Sequence, residues 1–189
     1  MENKQLDKRD RKIMGNINEI DSWMENIFLK VIKKEYDNGR IIEESNLHST
    51  VYFHLRKLIE SSRNKKLFVY SEMPFSTTMK DKRKKYPRVD LAVVIWEKEA
   101  PKDLLAVIEL KHYDIHYNSI GVNKDLEHLK ALWKGIYYPY ADSPTKLKAK
   151  RAYFLYLVDK GEISFDPILD RKLKLLKKTA ILKSLRAIG

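Results

Sequence analysis

Residues 104–111 read LLAVIELK, and this run limits the chain's architecture more than any other. Side chains of a strand alternate between its faces. Leu105, Val107, Glu109 and Lys111 therefore share one face, and Leu104, Ala106, Ile108 and Leu110 share the other. Both faces are apolar until the charges arrive, which predicts a central strand covered on two sides. A carboxylate and an ammonium at the end of such a strand need a partner or a task, because an unpaired charge is costly to bury.

The surrounding segments supply the cover. Ile17, Ile20, Trp23, Met24, Ile27, Phe28, Val31 and Ile32 recur at spacings of three and four, predicting an amphipathic helix to about Tyr36 that Gly39 ends. A second helix is predicted over 43–61, with Leu47, Val51, Leu55 and Leu58 on its buried side and Glu44 one turn before Leu47. Strand chemistry follows over 66–72, 89–96 and 104–111, the last two forming a hairpin, then a helix over 123–134 and a fourth strand over 151–158. A closing helix is expected over 166–187. The predicted fold is α/β, a mixed four- to five-stranded sheet with helices on both faces. One domain spans 1–189, with an extra N-terminal helical extension over 1–38 and a core over 43–158.

Composition bounds the function. The chain has 189 residues, 43% hydrophobic and 34% charged, which suits one soluble domain. Its formal charge of +12 attracts polyanions. With no cysteine, disulfides and thiolate metal sites are excluded. Apolar runs such as 152–158 are too short to span a bilayer, and no amphipathic, aromatic-anchored segment suggests docking on lipid. The start MENKQLDKRDRK lacks a secretory apolar core, so a cytoplasmic location and no membrane partner are expected. The six glycines form neither a phosphate loop nor a dinucleotide fingerprint.

A hairpin turn near position 100 puts Asp90 opposite residue 110, beside Glu109 or Lys111. Opposed residues have Cβ atoms roughly 4.5–5.5 Å apart. Two carboxylates that close can share a hard cation such as Mg2+, which takes oxygen ligands and is typically held by one or two carboxylates plus a substrate phosphate. The ion polarises a phosphate and lowers the pKa of water, while an adjacent lysine orients that water or offsets developing charge. Asp90, Glu109 and Lys111 thus compose a set suited to phosphodiester hydrolysis. The basic stretch before Asp90, with Lys80, Lys82, Arg83, Lys84, Lys85 and Arg88, is read equally as a solvated loop or as a phosphate-binding surface.

Those residues carry a resemblance. RVDLAVV, a short loop and LLAVIELKHY resemble the PD-(D/E)xK motif of restriction-endonuclease-like nucleases, with Asp90 at the first acid and Glu109-Leu110-Lys111 at the second half. Glu44, with Glu43 as its competitor, is similar to the additional acid many members place on the preceding helix, and VNKDLEHLKAL to the helix that follows. The likeness spans about 43–158; Val89 stands where the motif has proline. It implies a restriction-endonuclease-like α/β/α core and a DNA endonuclease dependent on Mg2+ or Mn2+. In it Asp90, Glu109 and the Leu110 carbonyl hold the metal, Lys111 handles the water and Glu44 supports the site. DNA is the expected partner, RNA stays open, and a double-strand break calls for a homodimer or two visits. The alternative is an inactive nucleic-acid-binding or scaffold subunit of the same fold.

Other signals carry less. His112 and His116 lack a third ligand for zinc and read as residues at the rim of the site. His48, His54 and His128 read as packing or surface residues, with His48 within one turn of Glu44. Glu72 reads as structural or as a further ligand, and Tyr137, Tyr138 and Tyr140 as a packed corner or as a surface for stacking bases. The basic residues from Arg171 to Arg186 read as a solvated helix face or as a further contact to phosphates.

Overall fold

The protein was analysed as a computed structural model that describes residues 8–62, 64–78, 86–97, 99–113, 119–141, 146–158 and 182–188. Its elements are α1 (Lys8–Asn26), which continues through a π-helical segment (Ile27–Ile32) into α2 (Lys33–Asp37), then α3 (Glu44–Ser61), β1 (Leu67–Pro74), β2 (Arg88–Glu97) and β3 (Ala100–Tyr113). They are followed by α4 (Ser119–Lys134), β4 (Ile136–Tyr137), β5 (Lys146–Leu147), β6 (Arg151–Val158) and β7 (Leu182–Ile188).

Five strands form a mixed sheet in the order β1-β2-β3-β6-β7. β1, β2 and β3 are antiparallel neighbours, whereas β6 runs parallel to β3 and β7 parallel to β6. The two-faced apolarity of β3 has the expected cause, since it is the middle strand. Leu91, Val93, Ile108, Leu110, Tyr153, Leu155 and Leu157 pack under Ile20, Met24, Phe28 and Ile32 of the N-terminal helix and Leu47, Val51, Leu55 and Ile59 of α3. Ala92, Val94, Val107, Ala152, Phe154 and Tyr156 pack on the opposite face with Leu129 and Leu132 of α4. Each fully buried aliphatic side chain contributes roughly 1.5–3 kcal/mol, so helices on both faces are required to hold the sheet.

The N-terminal helix is a wall of the core rather than an appended extension. Asp21 accepts hydrogen bonds from Arg151 Nε, 3.2 Å from Oδ2, and from the Tyr153 hydroxyl, which ties α1 to β6. The helix ends in a Schellman arrangement: Gly39 has φ 69°, its N–H bonds to Tyr36 O at 2.8 Å, and Arg40 N–H bonds to Glu35 O at 2.9 Å.

Three features differ from the sequence reading. The closing helix expected over 166–187 meets a strand at its end, because β7 pairs along β6; residues 159–181 lie outside the described residues. The physical reason is visible in β6, whose two apolar faces mark a strand with neighbours on both sides. Register also shifts between Val93 and Val94, opposite the Leu104–Ala106 step, so Leu105 packs with Ala106 on the α3 side and Leu104 with Val107 on the α4 side. Finally, Ile59 rather than Leu58 completes the fully buried stripe of α3. Among the described residues, no helix is long and apolar enough to cross a membrane.

Candidate active site

The β2–β3 hairpin closes at Glu97↔Ala100, a turn that on its own would set Asp90 opposite residue 107. Two register shifts along the ladder advance β3, and the last pair is Leu91↔Ile108. One step further, Asp90 falls opposite Glu109, one residue from the expected position. There the main-chain ladder gives way to a side chain, with Leu110 N–H donating to Asp90 Oδ2 at 2.7 Å. A carboxylate in place of a strand carbonyl opens the sheet at this end while keeping the amide satisfied.

α3 delivers the next groups. Glu43 is its N-cap, with extended backbone, and its N–H donates to Asn46 Oδ1 at 3.2 Å while Ser45 donates its hydroxyl to the Glu43 carboxylate. The cap occupies Glu43 and leaves Glu44 as the acid at the site: Lys111 Nζ donates to Glu44 Oε1 at 2.8 Å. One turn later, His48 Nε2 lies 3.0 Å from the carbonyl oxygen of Asp90. Glu44, Ser45, His48, Ser49, Glu72, Asp90 and Leu110 line a cavity of about 420 Å³.

Glu72 takes its place by register. It lies between the pairs Ser71↔Leu91 and Met73↔Val89, across from Asp90, and its φ of 53° is left-handed, a conformation non-glycine residues adopt at a cost.

Glu109 is placed differently. It is 2% exposed, does not line the cavity and turns toward α4, where His128 Nδ1 lies 3.8 Å from its Oε1. His128 is itself held edge-on against the Phe75 ring, with centroids 5.4 Å apart.

Asp90, Leu110, Lys111, Glu44 and His48 are therefore brought to one end of the sheet, and Glu109 sits beside them on the buried side. Arg88 opens β2 and is exposed; Lys80, Lys82, Arg83, Lys84 and Lys85 lie outside the described residues, as does His116. His112 packs edge-on against Tyr36, with centroids 6.3 Å apart, and His54 against Phe53 at 5.4 Å. His128 reads from the sequence as a packing or surface residue, and its approach to Glu109 emerges only in the structure. Its signal was position alone, directly before buried Leu129 on the inward side of α4.

Asp90 and the Leu110 main-chain carbonyl offer oxygen donors of the kind Mg2+ and Mn2+ take, whereas Glu109 faces away from the cavity they line. Among the described residues, no group of three or more His, Cys, Asp or Glu side chains is arranged to hold a metal. No protein-family model matches the chain, and neither a curated protein nor a solved structure matches it.

Proposed function

We propose that the chain is a metal-dependent DNA endonuclease with a restriction-endonuclease-like core and a PD-(D/E)xK-type site. The observation that carries this reading is the bond from the Leu110 amide to Asp90, which docks one acid onto the strand segment bearing Glu109 and Lys111. The Lys111–Glu44 pair at the same strand end supports it. Asp90 and the Leu110 carbonyl would hold Mg2+ or Mn2+, with Glu109 completing the set by turning from His128 toward Asp90. Such an ion polarises the scissile phosphate and lowers the pKa of water.

The chain's own groups do the rest. Lys111 presents its ammonium to the phosphate oxygens or to the attacking water, and Glu44 fixes where that ammonium sits. His48 holds the main chain of Asp90, and so sets the angle at which its carboxylate enters the cavity. Arg88 and the basic stretch before it grip the backbone without reading sequence.

A second reading is favoured by one observation, that Lys111 already has Glu44 as an ionic partner. In that reading the charges are a structural brace, and the protein binds DNA without cutting it. Incubation with supercoiled plasmid separates the two. The nuclease nicks plasmid with added Mg2+ or Mn2+, stops in excess EDTA, and loses cutting but keeps binding in Lys111→Ala. Equal cleavage by that variant discredits the lysine's role. Binding with no cleavage under any divalent metal favours the brace.

A further inference from the structure

Five aromatic rings form a continuous ladder on the α4 side of the β1–β2 edge. Trp96 stacks on Tyr70 with centroids 5.9 Å apart and planes 18° from parallel. Tyr138 meets both edge-on at 6.3 and 5.9 Å, and its hydroxyl lies 3.2 Å from that of Tyr70. Tyr140 continues the series at 5.8 Å from Tyr138, and Tyr86 follows at 5.9 Å from Tyr140. Only Tyr138 is buried. Tyr70, Trp96 and Tyr86 are half-exposed, and Tyr140 is 63% exposed. A packed corner accounts for Tyr138; it does not account for the large Tyr140 ring left in water between Tyr138 and Tyr86.

The adjoining chain is basic in a regular way. Lys146, Lys148 and Lys150 are exposed while Leu147 and Ala149 between them are buried. Alternate residues of extended chain lie about 6.6 Å apart, so the three lysines are set at spaced positions on the exposed side of the segment. The segment is anchored: Lys146 pairs with Tyr137 in the β4–β5 ladder, Ala149 N–H bonds to Leu132 O at 3.2 Å, and Lys150 N–H bonds to Leu104 O at 3.2 Å. Lys134 is also exposed, and residues 134–141 and 146–151 contain no acid.

We propose that this face is a binding platform for single-stranded DNA, with bases stacking on Tyr140 and its neighbours and phosphates lying along Lys146, Lys148 and Lys150. Charge complementarity selects a polyanion, and exposed aromatic faces select one whose bases are unstacked, since a duplex hides its base faces. The ladder's Tyr86 end lies four residues before Asp90, and Tyr70 opposes Ala92, two residues beyond it. The platform lies on the α4 side and does not depend on the nuclease reading, so binding is measured without metal.

The experiment is fluorescence anisotropy in EDTA with an oligothymidylate of about 16 nucleotides, the upper site size for such surfaces, against a duplex and an oligouridylate of equal length. The oligothymidylate is expected to bind tightest. Tyr140→Ala should weaken it about tenfold, the loss of one base stack, while Tyr140→Phe keeps it. Lys148→Ala should reduce the slope of log affinity against log salt by about 0.7, one phosphate contact on a single strand. Equal affinity for duplex, tighter binding of oligouridylate, or unchanged binding by Tyr140→Ala overturns the platform. Tight single-strand binding without cleavage in metal sinks the nuclease reading and leaves the platform standing; cleavage without single-strand preference does the reverse.

Discussion

Lys111 Nζ lies 2.8 Å from Glu44 Oε1, an ion pair that joins the end of the middle strand to the first turn of α3. The lysine side chain is 19% exposed and the glutamate 45%, so the pair positions a group more than it stabilises the fold. Glu44→Gln is expected to lower the cleavage rate by roughly 10- to 100-fold, as loss of a supporting partner does. Lys111→Ala should lower it by roughly 100- to 1,000-fold, the scale of losing one electrostatic donor. Single-turnover rates at saturating metal measure both. A larger loss from Glu44→Gln than from Lys111→Ala contradicts the order of roles.

The Leu110 amide distinguishes two changes at Asp90. Asp90→Asn retains an oxygen that accepts this N–H and should fold with near-normal stability but fail to cut. Asp90→Ala leaves the amide unsatisfied and should also lose about 1–3 kcal/mol of stability. Urea midpoints compare them, and equal midpoints would show that the carboxylate does not hold this strand end.

How far the site was legible depends on which residues are asked about. Both apolar faces of 104–111 announced a central strand, and the fourth strand expected over 151–158 is β6. Its second neighbour was missed because Leu173, Leu176, Ile181 and Leu185 also satisfy a helical spacing, and the strand Leu182–Ile188 is recognised only once β6 is seen to need a partner. Asp90 was placed within one residue, since bulges shift register by whole residues and leave little mark on composition. Glu44 and Glu43 were indistinguishable until the cap was visible: Asn46 at the third helical position is what claims Glu43. Burial of Glu109 against α4 is a tertiary fact that no local pattern encodes.

Tyr153 makes stability depend on pH at the alkaline end. Burial above all, and then its hydrogen bond to Asp21, push its hydroxyl well above the ordinary phenol range. The fold therefore favours the neutral form, and this contribution is complete below the unfolded phenol value of about 10 and lost as pH rises above it. Tyr153→Phe keeps Arg151 on Asp21 and is expected to cost about 0.5–1.5 kcal/mol at neutral pH. The unfolding free energies of the two proteins should converge above about pH 10; parallel curves would contradict the assignment.

Gly135 joins α4 to β4 at φ 108°, where an added Cβ would sit 2.6 Å from Lys146 Cε and 3.3 Å from Leu147 O. Gly135→Ala should cost about 1–3 kcal/mol, chiefly from backbone strain, because the lysine tip can move and the carbonyl cannot. An unchanged denaturation midpoint would show that this turn relaxes freely.

In the proposed nuclease, Asp90 and Glu109 act as one cation site across the end of β2 and β3, with Glu109 turned from His128 toward Asp90. Titration of the purified protein with Mn2+, followed by the loss of the free-ion electron paramagnetic resonance signal, tests this without relying on turnover. The expected result is saturable binding by the wild-type chain that is abolished in both Asp90→Asn and Glu109→Gln while each variant stays folded. Binding that survives both substitutions, or no binding by the wild-type chain, contradicts it.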